Sequence, residues 1–270
     1  MKEIQLFCGN AVDVLATLPY SSVDCTVTSP PYFRLRKYNH PKEIGQESLL
    51  AEYLVKLKKV FAEVYRVTKP TGVFFLNMGD TYFNGQQLRV PFRVLDECCI
   101  ATGWKLRQVL IYQKASPIPE SVKDRFTQSH EYIFFLVKST DYYFDMSLIQ
   151  EPATCAGQTR GGSKRRYEQN AAGMDNKVYD TRNPRSVLLV RQQYTQPPGS
   201  TLKHHAVFPE ELITPFITAG CPQDGTVLDP FCGSGTTLAV AYRQRKKAIG
   251  IDVIQDYIDD VHRRLDVIQR

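Results

Sequence analysis

The segment at residues 227–237 carries the residue types of a loop that binds a small cofactor. It reads as a short apolar strand, then a turn containing Gly233 and Gly235, then the start of a helix. Glycines let a backbone pass close to a ligand, and the N–H groups at a helix start attract an anion. Asp229, where the turn begins, can pair with a cationic group such as an amine. The residues of this segment that we expect to contact the ligand are Asp229, Pro230, Phe231, Gly233, Ser234, Gly235 and Thr236.

A second acidic residue narrows the chemistry of that ligand. Asp252 lies seventeen residues after Gly235, at the end of the next predicted strand. A carboxylate there can accept hydrogen bonds from both hydroxyls of a ribose, which predicts a cofactor that contains adenosine. The main competitor is a dinucleotide, whose fingerprint needs a third glycine where this chain has Leu238. S-adenosylmethionine fits better, because its ammonium suits the carboxylate of Asp229; a nucleotide site and a purely structural turn stay as alternatives.

The tetrapeptide Ser29-Pro30-Pro31-Tyr32 follows directly after another apolar strand pattern. By itself, such a tetrapeptide is most often a rigid turn. It also offers two hydrogen-bond acceptors, the hydroxyl of Ser29 and the carbonyl of Pro30, on a backbone that the prolines hold fixed. The tetrapeptide is therefore a candidate catalytic turn if a cofactor site lies next to it.

Together, the tetrapeptide and the glycine segment resemble the two signature motifs of the DNA amino-methyltransferases. Their order, with the tetrapeptide first, is similar to that of the permuted beta class of this family. Segments that look like further family landmarks are residues 9–11, 66–70, 77–82, 103–104, 121–126, 130–132, 183–185 and 208–212. The resemblance implies S-adenosylmethionine as the cofactor and double-stranded DNA as the substrate. It makes Ser29, Pro30, Pro31 and Tyr32 the catalytic residues.

The resemblance also implies a mechanism. An exocyclic amine on a base is a poor nucleophile, because its lone pair is delocalised into the ring. Acceptors at both amine hydrogens, here the Ser29 hydroxyl and the Pro30 carbonyl, would localise that pair for attack on the sulfonium methyl group. Tyr32 would stack on the base, which has to be flipped out of the duplex. No covalent cysteine is needed, and the chain lacks the Pro-Cys dipeptide that methylation of a cytosine ring carbon uses.

The first residue of the tetrapeptide bears on which base is methylated. Family members with Ser in that position usually methylate N4 of cytosine, and those with Asp or Asn usually methylate N6 of adenine. Ser29 therefore favours cytosine, with adenine as the alternative. RNA and protein are remoter substrates, and a large basic insertion favours duplex DNA.

Three further cofactor contacts follow from the resemblance alone. Asn10 should lie beside the adenine, whose amine can donate a hydrogen bond to the amide oxygen. His204 and Phe208 belong to the segment that wraps the cofactor in this family. Elsewhere, His130 and Glu131 are expected to make structural hydrogen bonds, and Asp80 fits a turn residue as well as a contact in the site.

Basic residues are concentrated in one stretch of the chain. The formal net charge is +6, and residues 151–203 hold nine Lys and Arg against four Asp and Glu. In the permuted class this position carries the target-recognition region, so we expect contacts there with phosphates or guanine edges. The expected DNA-contacting residues are Arg160, Lys164, Arg165 and Arg166 in this stretch, Arg34, Arg36 and Lys37 after the tetrapeptide, and Lys114 beside the target base. A cognate restriction endonuclease is a further partner that the resemblance allows.

These residues are positioned by alternating strand and helix patterns. The patterns predict strands at residues 4–7, 24–28, 72–77, 105–113, 132–138, 226–229 and 248–252, and helices at residues 11–18, 50–67, 90–102, 236–245 and 254–268. Such alternation indicates an α/β fold whose ligands lie beyond the carboxyl ends of the strands. We expect a mostly parallel mixed sheet flanked by helices, a Rossmann-like methyltransferase fold in circularly permuted order with an inserted target-recognition region. Residues 1–150 would form its catalytic part, residues 151–203 the insertion, and residues 204–270 the cofactor-binding part.

The composition of the chain disfavours several other classes of protein. The chain is 43% hydrophobic, enough for a buried core, and its start has no apolar run typical of a signal peptide or membrane span. Its seven cysteines are scattered without a Cys-x-x-Cys pair, which favours a reduced cytosol over a zinc site or disulfide framework. Two other classes stay open: a nucleotide-dependent oxidoreductase, which the missing third glycine disfavours, and a non-enzymatic nucleic-acid binder, which would not use the tetrapeptide.

Overall fold

The computed structural model describes residues 3–37, 40–153, 180–191 and 208–269. Its strands are β1 Ile4–Cys8, β2 Val23–Thr28, β3 Thr68–Met78, β4 Tyr82–Phe83, β5 Gln86–Gln87, β6 Lys105–Lys114, β7 His130–Val137, β8 Glu151–Pro152, β9 Thr181–Arg182, β10 Val187–Val190, β11 Thr226–Asp229 and β12 Lys247–Asp252. Its α-helices are α1 Ala11–Thr17, α2 Leu50–Val67, α3 Val90–Val94, α4 Glu210–Gly220, α5 Thr236–Arg243 and α6 Gln255–Gln269. Within these ranges no helix has the length and apolar character needed to span a membrane.

Eight of these strands form one sheet in the order β1-β12-β11-β2-β3-β7-β6-β10. β7 is antiparallel to both of its neighbours, and the other neighbouring pairs are parallel. The predicted mostly parallel α/β sheet is therefore confirmed, and its permuted order appears at the centre. There β11, from near the end of the chain, pairs with β2, with Val227 opposite Cys25 and Leu228 opposite Thr26. Because parallel strands end at the same edge, the residues that follow β11, β12, β1, β2 and β3 converge there.

A hydrophobic layer covers each face of the sheet. Residues of α1, α2 and α3 pack on one face, and residues of α4, α5 and α6 pack on the other. Helix α2 shows why the sequence folds this way: Tyr53, Leu57, Phe61 and Val64 recur at helical spacing and are buried, whereas the other side of the helix is exposed. The carboxylate of Glu52 accepts a hydrogen bond from the N–H of Leu49 at 3.2 Å, which caps the first turn.

Three stacked aromatic rings join the layers around the middle of the sheet. Phe75 of β3 stacks on Phe135 of β7 at 4.6 Å between ring centroids, and on Phe216 of α4 at 4.7 Å. The sequence analysis did not predict α4. This helix contains Pro215 and the β-branched pairs Ile213-Thr214 and Ile217-Thr218, which are poor helix formers, so burial of Phe216 against the sheet stabilises what local propensity does not.

Two other elements differ from the predictions. Residues 90–102 were expected to form one helix, but α3 passes into a π-helical turn at Leu95–Cys99 and a 3-10 turn at Ile100–Thr102. The wider turn buries Leu95, Cys98 and Cys99, and the Cys98 thiol contacts the Leu54 carbonyl of α2. Strand β10, inside the stretch where no regular pattern was seen, pairs in parallel with β6 at the edge of the main sheet.

Candidate active site at the carboxyl edge of the sheet

The glycine loop between β11 and α5 lies at the convergence of the strand ends. The N–H of Cys232 donates to the Ile251 carbonyl at 2.9 Å, which ties the loop to β12. The N–H of Gly9 donates to the Asp252 carbonyl at 2.8 Å, which ties the end of β1 to the same strand. A backbone hydrogen bond therefore joins the loop to β12, and the end of β1 lies beside the same strand end.

Gly233 and Gly235 have different functions in this loop. Gly235 has a φ of +76°, and a Cβ atom there would lie 2.8 Å from Val261 of α6, so glycine is required for the helix to pack. Gly233 has a φ of +47°, and among the described residues no heavy atom beyond its chain neighbours lies within 4 Å of the position of its missing Cβ. The loop thus leaves open space beside Gly233, where a ligand can approach the backbone.

Asp252 faces the loop from the end of β12. Its carboxylate accepts hydrogen bonds from the N–H groups of Gly233 and Ile254, each at 3.0 Å. Burial raises the pKa of Asp252, whereas the N–H groups of Ile254 and Gly233 act in the opposite direction. The side chain is half-buried and fixed in orientation, as a residue predicted to hold a ribose should be.

Asp229 has buried structural contacts that the sequence did not predict. It is only 2% exposed, and its carboxylate accepts hydrogen bonds from the hydroxyls of Thr28 and Thr237, both at 2.6 Å, and from the Phe231 N–H at 3.1 Å. Burial raises its pKa from 3.8 to about 6, although the three hydrogen bonds act to lower it. Asp229 therefore links β11 to β2 and α5, a structural role that was not predicted, and its pairing with an amine stays a prediction.

An arginine on α6 supports the loop from behind, and sequence reasoning missed it. The guanidinium of Arg264 is buried and donates to the Ser234 carbonyl at 2.8 Å and to Glu210 of α4 at 2.7 Å. Burial lowers the pKa of Arg264, and Glu210 counteracts this shift. The available signal was helical spacing, because Arg264 lies on the apolar face of α6 with Val261 and Leu265.

The Ser29-Pro30-Pro31-Tyr32 tetrapeptide begins where β2 ends. Tyr53 of α2 donates a hydrogen bond to the Pro31 carbonyl at 2.9 Å, which anchors the middle of the turn. The ring of Tyr32 lies against Gly79, where a Cβ atom would be 2.9 Å from the ring. A glycine at the end of β3 thus allows the tyrosine to fold back beside Ser29.

Five polar side chains form a connected cluster behind the tetrapeptide. The Ser29 hydroxyl donates to the Tyr32 hydroxyl at 3.0 Å, and the Tyr32 hydroxyl donates to Glu131 Oε2 at 2.8 Å. The Asn77 amide donates to the same tyrosine oxygen at 3.1 Å and to Glu131 Oε2 at 2.7 Å. The ammonium of Lys114 pairs with Glu131 Oε1 at 2.7 Å. We call these residues the tyrosine cluster; the hydrogen-bonding role that the sequence gave Glu131 is the one seen here.

Two further predicted residues have local structural contacts. Asp80 Oδ1 accepts hydrogen bonds from the N–H groups of Thr81 and Val90, both at 2.9 Å, as the turn-forming interpretation requires. Asn10 Oδ1 accepts from the Val12 N–H at 3.0 Å and caps α1. The cap places Asn10 next to the end of β12, and its predicted contact with adenine stays a prediction.

Aromatic and basic residues pack together in the hairpin β4–β5 and around Arg34, two residues after the tetrapeptide. Strands β4 and β5 form a hairpin whose turn residues, Asn84 and Gly85, both have positive φ. Its Tyr82 lies under the guanidinium of Arg125 at 4.0 Å, and its Phe83 lies 5.6 Å from that of Arg34. Sequence reasoning missed this hairpin, although an Asn-Gly pair, here directly after Tyr82-Phe83, is a hairpin signal.

Comparison with known proteins assigns the chain to a family. The model of the DNA methylase family N6_N4_Mtase matches residues 23–263, nearly the whole chain. The chain belongs to this DNA methylase family. The "Type II methyltransferase M.Cfr9I" of Citrobacter freundii is 34% identical to this DNA methylase over 96% of the chain and 87% of the relative.

Solved structures of two methyltransferases share its fold. The "PVUII DNA METHYLTRANSFERASE (CYTOSINE-N4-SPECIFIC)" superposes with a TM-score of 0.74, at 20% identity, over 98% of this chain and 86% of the other. The structure titled "M1.HpyAVI-SAM complex" gives a TM-score of 0.62, at 17% identity, over 97% of this chain and 99% of the other. The predicted methyltransferase fold is thereby confirmed.

This DNA methylase uses S-adenosylmethionine and acts on DNA, as the sequence predicted. The residues at the glycine loop fit such a cofactor: Gly233 leaves open space, the half-buried Asp252 offers acceptors, and the buried Ser234 hydroxyl has no hydrogen-bond partner among the described residues. The nucleotide-dependent oxidoreductase and the non-enzymatic binder, which the sequence had left open, are wrong.

The remaining predicted residues divide into two groups. Phe208 is partly buried against the core on the α4 face, Arg34 donates to the carbonyls of Glu47 and Ser48, and Lys37 is exposed. Arg36 is partly exposed, and its carbonyl accepts a hydrogen bond from Gln46. The predicted residues that lie outside the described ranges are Arg160, Lys164, Arg165, Arg166 and His204.

Proposed function

We propose that this DNA methylase transfers a methyl group to the exocyclic N4 amine of cytosine within a short defined sequence of duplex DNA. The observation that carries the proposal is the placement of Ser29 at the end of β2, with its only proton directed to Tyr32 and its lone pairs available to a substrate amine. The structural similarity to the cytosine-N4-specific PvuII DNA methyltransferase supports the choice of base. Several relatives of this DNA methylase are Type II methyltransferases, which supports a role in restriction–modification beside a cognate endonuclease.

Catalysis in this proposal depends on two preorganised acceptors. The Ser29 hydroxyl and the Pro30 carbonyl accept hydrogen bonds from the two amine hydrogens, which draws the nitrogen toward tetrahedral geometry and localises its lone pair. Pro30 and Pro31 fix the turn, and the hydrogen bond from Tyr53 to the Pro31 carbonyl holds it against α2. The acceptors therefore need no reorganisation when the amine becomes tetrahedral, which lowers the barrier.

S-adenosylmethionine supplies the methyl group when it is bound. Asp252 would accept hydrogen bonds from its ribose, and Gly233 would let the backbone approach it. Asp229 maintains the loop through Thr28 and Thr237. The other residues that we propose to line the cofactor site are Asn10, His204, Phe208, Pro230, Phe231, Ser234, Gly235 and Thr236.

DNA would approach over the entrance to the tetrapeptide. Arg34, Arg36 and Lys37 supply positive charge for the phosphates of the strand that carries the flipped base. The Tyr82–Phe83 strand of the hairpin offers partly exposed rings at the same entrance. Residues 151–203 would recognise the target sequence, with Arg160, Lys164, Arg165 and Arg166 as contacts.

The base assignment is tested by the product. The purified protein is incubated with S-adenosylmethionine and unmodified plasmid DNA, and the DNA is digested to nucleosides for mass spectrometry. We expect N4-methylcytosine, and sequencing that detects modified bases should place it in one short motif. N6-methyladenine would keep the mechanism and overturn the assignment to cytosine, and 5-methylcytosine would overturn both.

Ser29→Ala is the variant that tests the mechanism. Loss of one preorganised group that acts in the transition state costs roughly 10²- to 10³-fold in turnover in other enzymes. We expect a loss of this size in the single-turnover rate, with unchanged affinity for S-adenosylmethionine. Ser22→Ala is a matched control, because the Ser22 hydroxyl donates to the nearby Pro19 carbonyl at 2.8 Å, in the turn before β2. A Ser29→Ala variant with the wild-type rate would contradict the mechanism.

A further inference from the structure

We propose that Glu131 is a positioning residue that fixes the direction of the hydrogen bonds in the tyrosine cluster, so that Ser29 can only accept, and not donate, at the target amine. The inference rests on the proposed function and deepens it. Glu131 lies on β7, about one hundred residues from the tetrapeptide, yet its carboxylate contacts Tyr32 at 2.8 Å. It acts on the reaction through Tyr32 and Ser29 and does not touch the substrate.

The direction follows from the chemistry of a carboxylate. An ionised carboxylate has no proton to donate, so each hydrogen bond at Glu131 must point toward it. Lys114 pairs with Oε1 at 2.7 Å, and the Asn77 amide donates to Oε2 at 2.7 Å. The Tyr32 hydroxyl therefore uses its single proton on Glu131.

Tyr32 transmits this direction to Ser29. Burial raises the pKa of the Tyr32 hydroxyl well above its ordinary value, so the group stays a neutral phenol with one proton. Since that proton is directed to Glu131, the phenol oxygen can only accept at its other contacts, which include Asn77 at 3.1 Å, Ser29 at 3.0 Å and the backbone of Gly79. Ser29 thus directs its own proton to Tyr32, and only lone pairs remain for the substrate.

The direction of the hydrogen bonds in the tyrosine cluster matters, because the opposite direction would inhibit the reaction. If Ser29 donated its proton to the target amine, the hydrogen bond would occupy the nitrogen lone pair that must attack the methyl group. An acceptor-only Ser29 can bind an amine hydrogen and cannot bind the lone pair. The same geometry gives Tyr32 a function besides stacking on the base, since its hydroxyl, and not only its ring, is needed.

Two substitutions test whether the Glu131 carboxylate and the Tyr32 hydroxyl orient Ser29. Glu131→Gln keeps the size of the side chain but introduces an amide that can donate to Tyr32. This would reverse the direction of the hydrogen bonds from Glu131 through Tyr32 to Ser29. Tyr32→Phe keeps the ring for stacking and removes the hydroxyl that orients Ser29. We expect each to lower the single-turnover methylation rate by about 10²-fold, the typical effect of one preorganised group. The dissociation constants for S-adenosylmethionine and for DNA should stay within about twofold of wild type, a difference of roughly 0.4 kcal/mol.

Tyr132→Phe is the matched control. Tyr132 lies next to Glu131 on β7, and its hydroxyl is hydrogen-bonded to His130 at 3.3 Å, outside the tyrosine cluster. Removing this hydroxyl should leave the methylation rate unchanged. Wild-type rates for both Glu131→Gln and Tyr32→Phe would overturn the proposal, and in that case Tyr32 acts through its ring alone.

A double-mutant cycle with Ser29→Ala distinguishes positioning from general damage. If Glu131 acts through Ser29, the Ser29→Ala/Glu131→Gln variant should be no slower than Ser29→Ala alone, because the hydroxyl to be oriented is gone. Multiplication of the two single effects would show that Glu131 acts independently and would overturn the inference. If Glu131→Gln unfolds, the cycle is run with Tyr32→Phe. A wild-type rate for Ser29→Ala itself would instead refute the proposed function.

Discussion

The same substitution at the two glycines of the cofactor loop should have different main effects: on stability at Gly235 and on cofactor binding at Gly233. Changing either one to alanine adds a single methyl group at a residue with positive φ, and the left-handed conformation costs about 1–2 kcal/mol for a residue with a side chain. The surroundings differ. At Gly235 the new Cβ atom would lie 2.8 Å and 2.9 Å from the two methyl carbons of Val261, whereas at Gly233 it would meet nothing within 4 Å in the part of the chain that the structure describes.

These distances give the expected magnitudes. Crowding in a packed core costs roughly 1–3 kcal/mol, so Gly235→Ala should lose about 2–5 kcal/mol of the free energy of unfolding. Gly233→Ala should lose only the conformational cost of about 1–2 kcal/mol. If the open space at Gly233 is where the cofactor approaches, the added methyl group should instead weaken binding of S-adenosylmethionine by about 5- to 150-fold, the same crowding cost transferred to the complex.

Calorimetry measures both quantities on the same proteins. Thermal unfolding without cofactor should give a larger decrease in Tm for Gly235→Ala than for Gly233→Ala, and titration should give the weaker S-adenosylmethionine binding for Gly233→Ala. Val261→Ala is the control, because removing the clashing methyl groups should make Gly235→Ala less costly than it is in the wild-type background. The reasoning is refuted if Gly233→Ala is the less stable variant, or if it binds the cofactor with wild-type affinity.

Three other predictions address single charged groups. Asp252→Ala should weaken S-adenosylmethionine binding by about 1.5–3 kcal/mol in titration calorimetry, because hydrogen bonds to a charged acceptor are lost; unchanged affinity would remove Asp252 from the ribose site. Asp229 has its pKa raised from 3.8 to about 6 in the fold, so the folded state binds its proton more tightly, and this contribution to stability is lost as pH rises from 4 to 6. Asp229→Asn should therefore gain about 2 kcal/mol relative to wild type between pH 4 and pH 7 in chemical denaturation, and a difference that does not vary with pH would contradict the shift. Changing Lys164, Arg165 and Arg166 together to Ala should weaken DNA binding and flatten its salt dependence without affecting the cofactor, because fewer counterions are released; wild-type binding across a salt titration would mean that these residues do not contact phosphates.

Much of the local structure could be predicted because its signals lie within short stretches of sequence. Helix α2 and strand β11 have the predicted bounds, since each is a regular apolar pattern closed by a proline, a glycine or a charged residue. The glycine turn was recognisable for the same reason, because positive φ at two nearby residues demands glycine whatever the rest of the fold does. Helix α4 and the π-helical turn at Leu95–Cys99 were not predicted, because packing outweighs weak local propensity in both.

The sequence by itself determined the two motifs, their permuted order, the α/β class and the family's cofactor. What only the tertiary structure decided is which side chains meet. Thr28 bonds to Asp229 across 201 positions of the chain, and Tyr32 bonds to Glu131 across 99. A linear pattern records backbone preferences over a few residues, but such contacts depend on strand order and on the register between strands. Asp229, which the sequence predicts to pair with an amine, is also a buried link between β11, β2 and α5. Glu131, for which the sequence predicts structural hydrogen bonds, lies behind Ser29 through its contact with Tyr32.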